Sequence, residues 1–406
     1  SFGYVICDPY YMRWDPPSGA TPHEYGHVYE YHAEGFNESP SGFWWECFAD
    51  WMELQFEIVE CHYPDGAWLI NQTSMYYQAH GRHYYDNWQI FEYLKEQPDY
   101  GYPWINTLWC QGNHEYILDA MVRLDPTSNP DKLDQVKHNF SKMARSNITW
   151  DYTWGQYFRE DDTNEDKWRM GRTNLIRKPG STTVWRGPWE HAPQQMGWNI
   201  IPLAMPGKSG SNWQVTVNLT GFANPERGSD WRCSLVAVSD TGTPRYSTAW
   251  HTGSNSMTLG SNENQLYLVV SGTPSIMTIQ PGDDYRGLNK ETFPYEMTLT
   301  NCAPSEYQWP DPGVPHHHHS NGGGYVADTA TVDSSAYVGP NAYVLDTAHV
   351  HNNARIEDYA YVEDNAHISA SAVVCGHAWV KDNAQVYNNA KVCDYGCVKE
   401  DAKVYG

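Results

Sequence analysis

Three regimes of hydrophobic and polar patterning divide the chain. Up to about residue 205, apolar and aromatic residues recur at helical spacing in segments near 22–34, 42–60, 83–97, 112–124 and 131–147, punctuated by Pro and Gly. From Trp213 the spacing changes to alternation, with Val215, Val217 and Leu219, then the stretches 233–238, 265–270 and 295–299, separated by Gly, Asn and Pro turns. Short strands so spaced predict a β-sandwich. Residues 304–324 are rich in Pro, hold four consecutive His and three consecutive Gly, and read as a linker. From Ala330 onward a unit Ala-x-Val/Ile-x-x-x recurs every six residues, thirteen times in register, from Ala330/Val332 to Ala402/Val404 with Gly396 once in place of Ala.

A six-residue period is too long for a helical turn and too even for hairpins. It fits a coil in which each hexapeptide makes one short parallel strand and a corner, with the branched residue inside and Ala at the cramped corner. This pattern resembles the left-handed β-helix of the hexapeptide-repeat proteins, in which three units complete a turn, so thirteen units give about four turns. On that reading Cys375 and Cys393, 18 residues apart, lie one above the other. The expected organisation is therefore multidomain: a mainly α domain at 1–205, a β-sandwich at 206–303, a linker at 304–324 and a left-handed parallel β-helix at 325–406.

Composition narrows the function. At 406 residues a single domain is not expected. The formal charge of -23 repels phosphate backbones and anionic lipid surfaces, which argues against nucleic acid as a partner. No run of 18 uninterrupted apolar residues occurs, so no membrane-spanning helix is expected. Aromatics reach 15%, dominated by 30 Tyr and 19 Trp, rings with a polar edge that suit wet surfaces as well as cores. Few Lys, many aromatics and an acidic balance lean towards a secreted or cell-surface protein. The opening segment Ser1-Phe2-Gly3-Tyr4-Val5-Ile6 reads as a strand entered midway, and upstream residues are expected to be missing.

The chemistry gathers at His23-Glu24-Tyr25-Gly26-His27, an H-E-x-x-H sequence. On a helix the two His emerge from one face and can share a metal, while Glu24 stands beside them to take a proton from water. Nineteen residues after His27, a second predicted helix offers Glu46, with Asp50 one turn later. A catalytic Zn2+ needs three protein ligands and an open position, and His23, His27 and Glu46 supply two nitrogens and one oxygen. Asp50 is placed to accept the outward N–H of a ligand His. The alternative for Glu24 is a capping box with Thr21 as N-cap and Pro22 at the first helical position.

H-E-x-x-H followed at this distance by E-x-x-x-D resembles the gluzincin clan of zinc metallopeptidases, over residues 21–52. The resemblance implies Glu24 as general base and proton shuttle, Zn2+ on His23, His27 and Glu46, and Asp50 orienting a ligand. It also implies a later His or Tyr against the developing oxyanion, a role for which His114 is the candidate, with His83, Tyr84 and Tyr85 as competitors. In a gluzincin a β-sheet precedes the motif, whereas about 20 residues precede it here.

The weaker features read as structure. His316–His319 sit in the expected linker, and a solvated spacer is favoured over a chelating site. His349, His351, His367 and His377 fall on outward positions of the repeat, and the uninterrupted coil argues against acyl transfer. Cys233 and Cys302 flank the sandwich as a candidate pair, and Cys47 is expected in buried packing. Five N-x-S/T sites, at Asn37, Asn71, Asn139, Asn147 and Asn218, matter only in a secreted glycoprotein. The expected activity is zinc-dependent hydrolysis of peptide bonds in protein or glycoprotein substrates. The alternatives are a structural or filament-forming protein whose metal site is vestigial, self-associating or docking on a cell surface through the β-helix, and a carbohydrate-active metalloenzyme.

Overall fold

The computed structural model describes residues 20–42, 44–61, 73–74, 77, 87–157, 172–173, 175–177, 183–187, 192–279, 291–305, 315–340, 342–358, 360–376, 378–393 and 396–406. Two units divide the chain, residues 1–305 and 306–406.

In the first unit the described helices are α1 (Ala20–Ala33), α2 (Trp44–Cys61), α3 (Gln89–Lys95), α4 (Gly101–Cys110), α5 (Ile117–Arg123) and α6 (Lys132–Ser146). Pro103 stands in the first turn of α4, where its missing N–H costs nothing, so a segment read as punctuation is helical. Among the described residues ten strands follow: β1 (Ile176–Arg177), β2 (Val184–Arg186), β3 (Trp198–Ala204), β4 (Trp213–Gly221), β5 (Trp231–Ser239), β6 (Pro244–Tyr246), β7 (Gly253–Leu259), β8 (Glu263–Gly272), β9 (Tyr295–Thr300) and β10 (Ala303–Pro304). They form two antiparallel sheets, ordered β1-β2-β9-β4-β7 and β10-β3-β8-β5-β6.

The strands record their surroundings in their burial. Along β4, Val215, Val217 and Leu219 are buried and the residues between them are not, so one face of that sheet packs and the other meets water. Every residue of β5 is buried. Leu235 and Ala237 fill the space between the sheets with Val217, Leu266 and Met297, whereas Val236 and Val238 join Trp198, Tyr267, Trp44, Phe91, Phe140 and Trp109 in a second core beneath the helices. The order is therefore helices, sheet, sheet. The mainly α zincin-like domain expected at 1–205 is not supported as a separate body, because β3 lies inside that span yet belongs to the sandwich and shares the helical core.

Charged pairs pin the helices to the sheet. Lys137 of α6 donates to Asp230 at 2.6 Å, and Arg232 of β5, 2% exposed, bonds Asp230 at 2.9 Å, Thr273 at 2.8 Å and Asp134 of α6. Buried charges persist only when so paired.

The second unit is a β-solenoid of about four turns. Parallel rungs pair residue i with i+18: Tyr325, Tyr343, Tyr361, Trp379 and Cys397 form one column, and His349, His367, Gln385 and Lys403 another. Three sheets result, one per face. Val344, Val350, Ile356, Val362, Ile368, Val374, Val380 and Val386 are fully buried in the interior, as are the corner Ala residues from Ala336 to Ala384. Corners turn through left-handed backbone at Asp346, Asn352, Asp358, Asp364, Asp382 and Asn388, which suits Asp and Asn. The carboxylate of Asp364 then accepts the backbone N–H of Asp382 at 3.0 Å, and that of Asp382 the N–H of Glu400 at 2.8 Å.

Cys375 and Cys393 are joined by a disulfide, as their stacking predicts. Cys233 and Cys302 are not: Cys233 is buried in the sandwich interior, and both are free thiols. The histidine run is also not a spacer, because His316–His318 form strand β11, antiparallel to β12 (Tyr325–Ala327) at the first rung of the coil. Asn139 and Asn147 are buried, so neither is open to glycosylation in the fold.

Candidate metal centre

Two polar stripes face each other across α1 and α2. His23, His27 and Glu30 follow at i, i+4 and i+7 on α1, and Glu46, Asp50 and Glu53 do the same on α2, so each set shares one helical face. The remaining side of α2 carries Trp44, Cys47, Phe48, Trp51 and Leu54 into the core and fixes its rotation. Gly26, inside the motif, lets the helices touch: a Cβ there would lie 2.7 Å from the Ala49 Cα.

The contact brings three ligand atoms together. His23 Nε2 and His27 Nε2 are 3.1 Å apart, and Glu46 Oε2 is 3.2 Å from each. A tetrahedral ion with bonds of about 2.0–2.1 Å holds its ligand atoms about 3.3–3.4 Å apart, so small side-chain rotations would widen this triangle to the edge such an ion takes. The outward nitrogens are fixed in turn: His23 Nδ1 donates to Asp50 at 2.6 Å and His27 Nδ1 to Glu30 at 2.8 Å. Each carboxylate selects the tautomer whose Nε2 lone pair points at the shared centre.

Protonation tells the same story. Burial alone lowers both imidazoles, but Asp50 and Glu46 hold His23 up to about 10, and Glu30 and Glu46 hold His27 up to about 9. Glu46, which burial raises, is drawn down to about 2 by the two imidazoles, while burial pushes Asp50 up to about 6 and Glu30 up to about 8 against the pull of their histidines. Without metal both imidazoles therefore carry protons at neutral pH and pair with Glu46; once deprotonated, their Nε2 atoms and the Glu46 oxygen form a group that could hold a metal ion. Protons and a divalent ion are thus alternative occupants of the same atoms. The donor set, two imidazole nitrogens and one carboxylate oxygen, suits Zn2+.

Glu30 is a participant that the sequence reading missed. Its signal is present: it stands one turn past His27, and it is buried at 1% exposure, a rarity for a carboxylate without a role. Glu24 is exposed on α1 and makes no bond to another described residue. The described part of the helix begins at Ala20, which places Thr21 in its first turn. His114 sits at positive φ in the loop after α4, where its N–H bonds Gly35 O at 2.7 Å and its Nδ1 donates to Asn37 O at 2.5 Å. Its ring is exposed and is not among the groups converging on the centre. His83, Tyr84 and Tyr85 lie outside the described residues.

A model of a family of unknown function, DUF6055, matches residues 9–306. No curated protein matches. Among solved structures the chain is similar to the crystal structure of a Yersinia pseudotuberculosis-derived mitogen, at 12% identity and a TM-score of 0.21, over 32% of this chain and 86% of that one. It is also similar to the accessory secretory protein 1, 2 and 3 structure of Streptococcus pneumoniae, at 9% identity and a TM-score of 0.17, over 32% and 87%. Neither the family nor these structures is described as a peptidase, and likenesses at this level carry no functional argument. No helix among the described residues is long and apolar enough to cross a membrane.

Proposed function

The chain belongs to the family of unknown function DUF6055, and from its own residues we propose that the first unit is a zinc-dependent hydrolase acting on peptide bonds of protein or glycoprotein substrates. The observation that carries this reading is the triangle of His23 Nε2, His27 Nε2 and Glu46 Oε2, with edges of 3.1–3.2 Å and a carboxylate behind each imidazole. His23, His27 and Glu46 would hold the ion. Bound there, Zn2+ supplies Lewis acidity, which polarises a carbonyl and makes water more acidic. Glu24, next to His23 on α1 and exposed, takes the proton from water and returns it to the leaving amine. Asp50 and Glu30 keep the imidazoles in the ligating tautomer. The resemblance to gluzincins rests on these residues.

Secretion to an oxidising compartment belongs to the same proposal and is supported by the Cys375–Cys393 disulfide and the acidic balance of the chain. The solenoid then serves as a docking rod carried on the same chain. The test compares wild type with Glu24→Gln for zinc content and for hydrolysis of an unstructured protein such as casein. Retained zinc with hydrolysis reduced by about a hundredfold or more supports the reading, within the usual range for losing a general base. A wild type that binds zinc and cleaves neither proteins nor peptides refutes it.

A further inference from the structure

The solenoid carries a second cluster of imidazoles, independent of the site on α1 and α2. His349 and His367 occupy the same outward position in successive coils, where the parallel register pairs them directly. Their rings stack with centroids 4.4 Å apart and planes 12° from parallel. His351, two residues beyond His349, turns its ring to the same side, 5.6 Å away centroid to centroid. One nitrogen from each of the three lies within 4.8 Å of the others.

The backbone sets this arrangement. Val350 and Ile368 point inward and are fully buried, which forces their neighbours outward, and the rung ladder fixes the spacing between coils. Asp333, one coil earlier, accepts from His351 Nδ1 at 3.3 Å through Oδ1 and from the backbone N–H of Asn352 at 2.7 Å through Oδ2. The carboxylate is thus held in place, and it leaves His351 Nε2 as a free lone pair, the arrangement found behind metal-binding imidazoles.

We infer that His349, His351 and His367 form a surface site for one divalent transition ion of the zinc, copper(II) or nickel(II) class. Three nitrogen donors select such ions over calcium and magnesium, which take oxygen ligands. The rings stand at outward positions, so small side-chain rotations close their nitrogens onto an ion while the buried Val and Ile column stays unchanged. Water completes the coordination.

Copper(II) titrated into the full chain tests the inference, with the other histidine clusters removed by His23→Ala, His27→Ala, His317→Asn and His318→Asn. In this background one equivalent binds, and its electron paramagnetic resonance spectrum carries nitrogen hyperfine structure from imidazole. Adding His349→Asn and His367→Asn abolishes that equivalent, and Asp333→Asn weakens it about tenfold or more. The single variant His367→Gln, which keeps an outward polar side chain on the rung, gives the same loss should the double variant fail to fold. Uptake that is absent in the background, or that persists after His349 and His367 are replaced, overturns the inference.

Discussion

Gly26 lies against Ala49 where α1 meets α2, so closely that a Cβ on Gly26 would stand 2.7 Å from the Ala49 Cα. That contact sets the distance between the histidine stripe and the carboxylate stripe. Gly26→Val must push the helices apart. The expected result is a loss of about 1–3 kcal/mol from overpacking, together with loss of zinc binding. Denaturant melts and zinc titration of the variant check both, and a variant that binds zinc as the wild type does would show that the helices need not touch.

Glu30 acts through His27. Replacing it by Gln keeps its volume and takes away the carboxyl group that accepts from Nδ1, so zinc affinity is expected to fall about 10–100-fold while the fold is kept. Asp50→Asn is expected to do the same through His23. Competition with a chelator measures both, and an unchanged affinity in either variant would remove that carboxylate from the account.

On the proposed reading, zinc and protons compete for the same atoms. Because His23 and His27 are held up to about 10 and 9, zinc uptake at neutral pH displaces protons from both. Apparent affinity therefore rises with pH, by up to about a hundredfold per unit while two protons leave. The rise continues from pH 6 to about 9 and does not level near 7. Without metal the sign reverses: imidazoles whose folded pKa exceeds 6.5 stabilise the fold fully below that pH, and the gain is lost as pH climbs towards 9–10. Chelator competition and melts of chelated protein between pH 6 and 9 check the two signs.

The disulfide closes one turn of the coil, a loop of 18 residues. Chain-entropy reasoning gives a cost of about 3 kcal/mol for Cys375→Ser with Cys393→Ser. Ile356→Ala, in the same interior column as Val374 and fully buried, is expected to cost about 2–5 kcal/mol. Calorimetry of the full chain follows both, and coil unfolding insensitive to them would contradict the packing described.

Legibility in the sequence tracked how local each cause is. The coil was readable to the residue because one rule, Val or Ile inward every six positions, repeats without exception in the interior. Strand β4 was readable because its outer face meets water and its sequence alternates; β5 was found, but its burial on both faces was not, since the helices covering Val236 and Val238 come from elsewhere in the chain. His23, His27, Glu46 and Asp50 were legible because helical spacing alone puts each pair on one face, and the structure brings all four together. Glu30 obeys the same spacing and was overlooked because it lies outside the familiar five-residue motif. The pairing of His316–His318 with Tyr325–Ala327 could not be read from a run of identical residues, which has no hydrophobic register to give it away.

The central claim is that His23, His27 and Glu46 hold one ion between them. X-ray absorption at the zinc edge on the protein loaded with one equivalent, compared with His23→Ala/His27→Ala, tests it directly. The expected first shell is two imidazole nitrogens and oxygen donors at about 2.0–2.1 Å in four-fold coordination, lost in the double variant. A shell containing sulfur, or an unchanged spectrum when both histidines are gone, would contradict it.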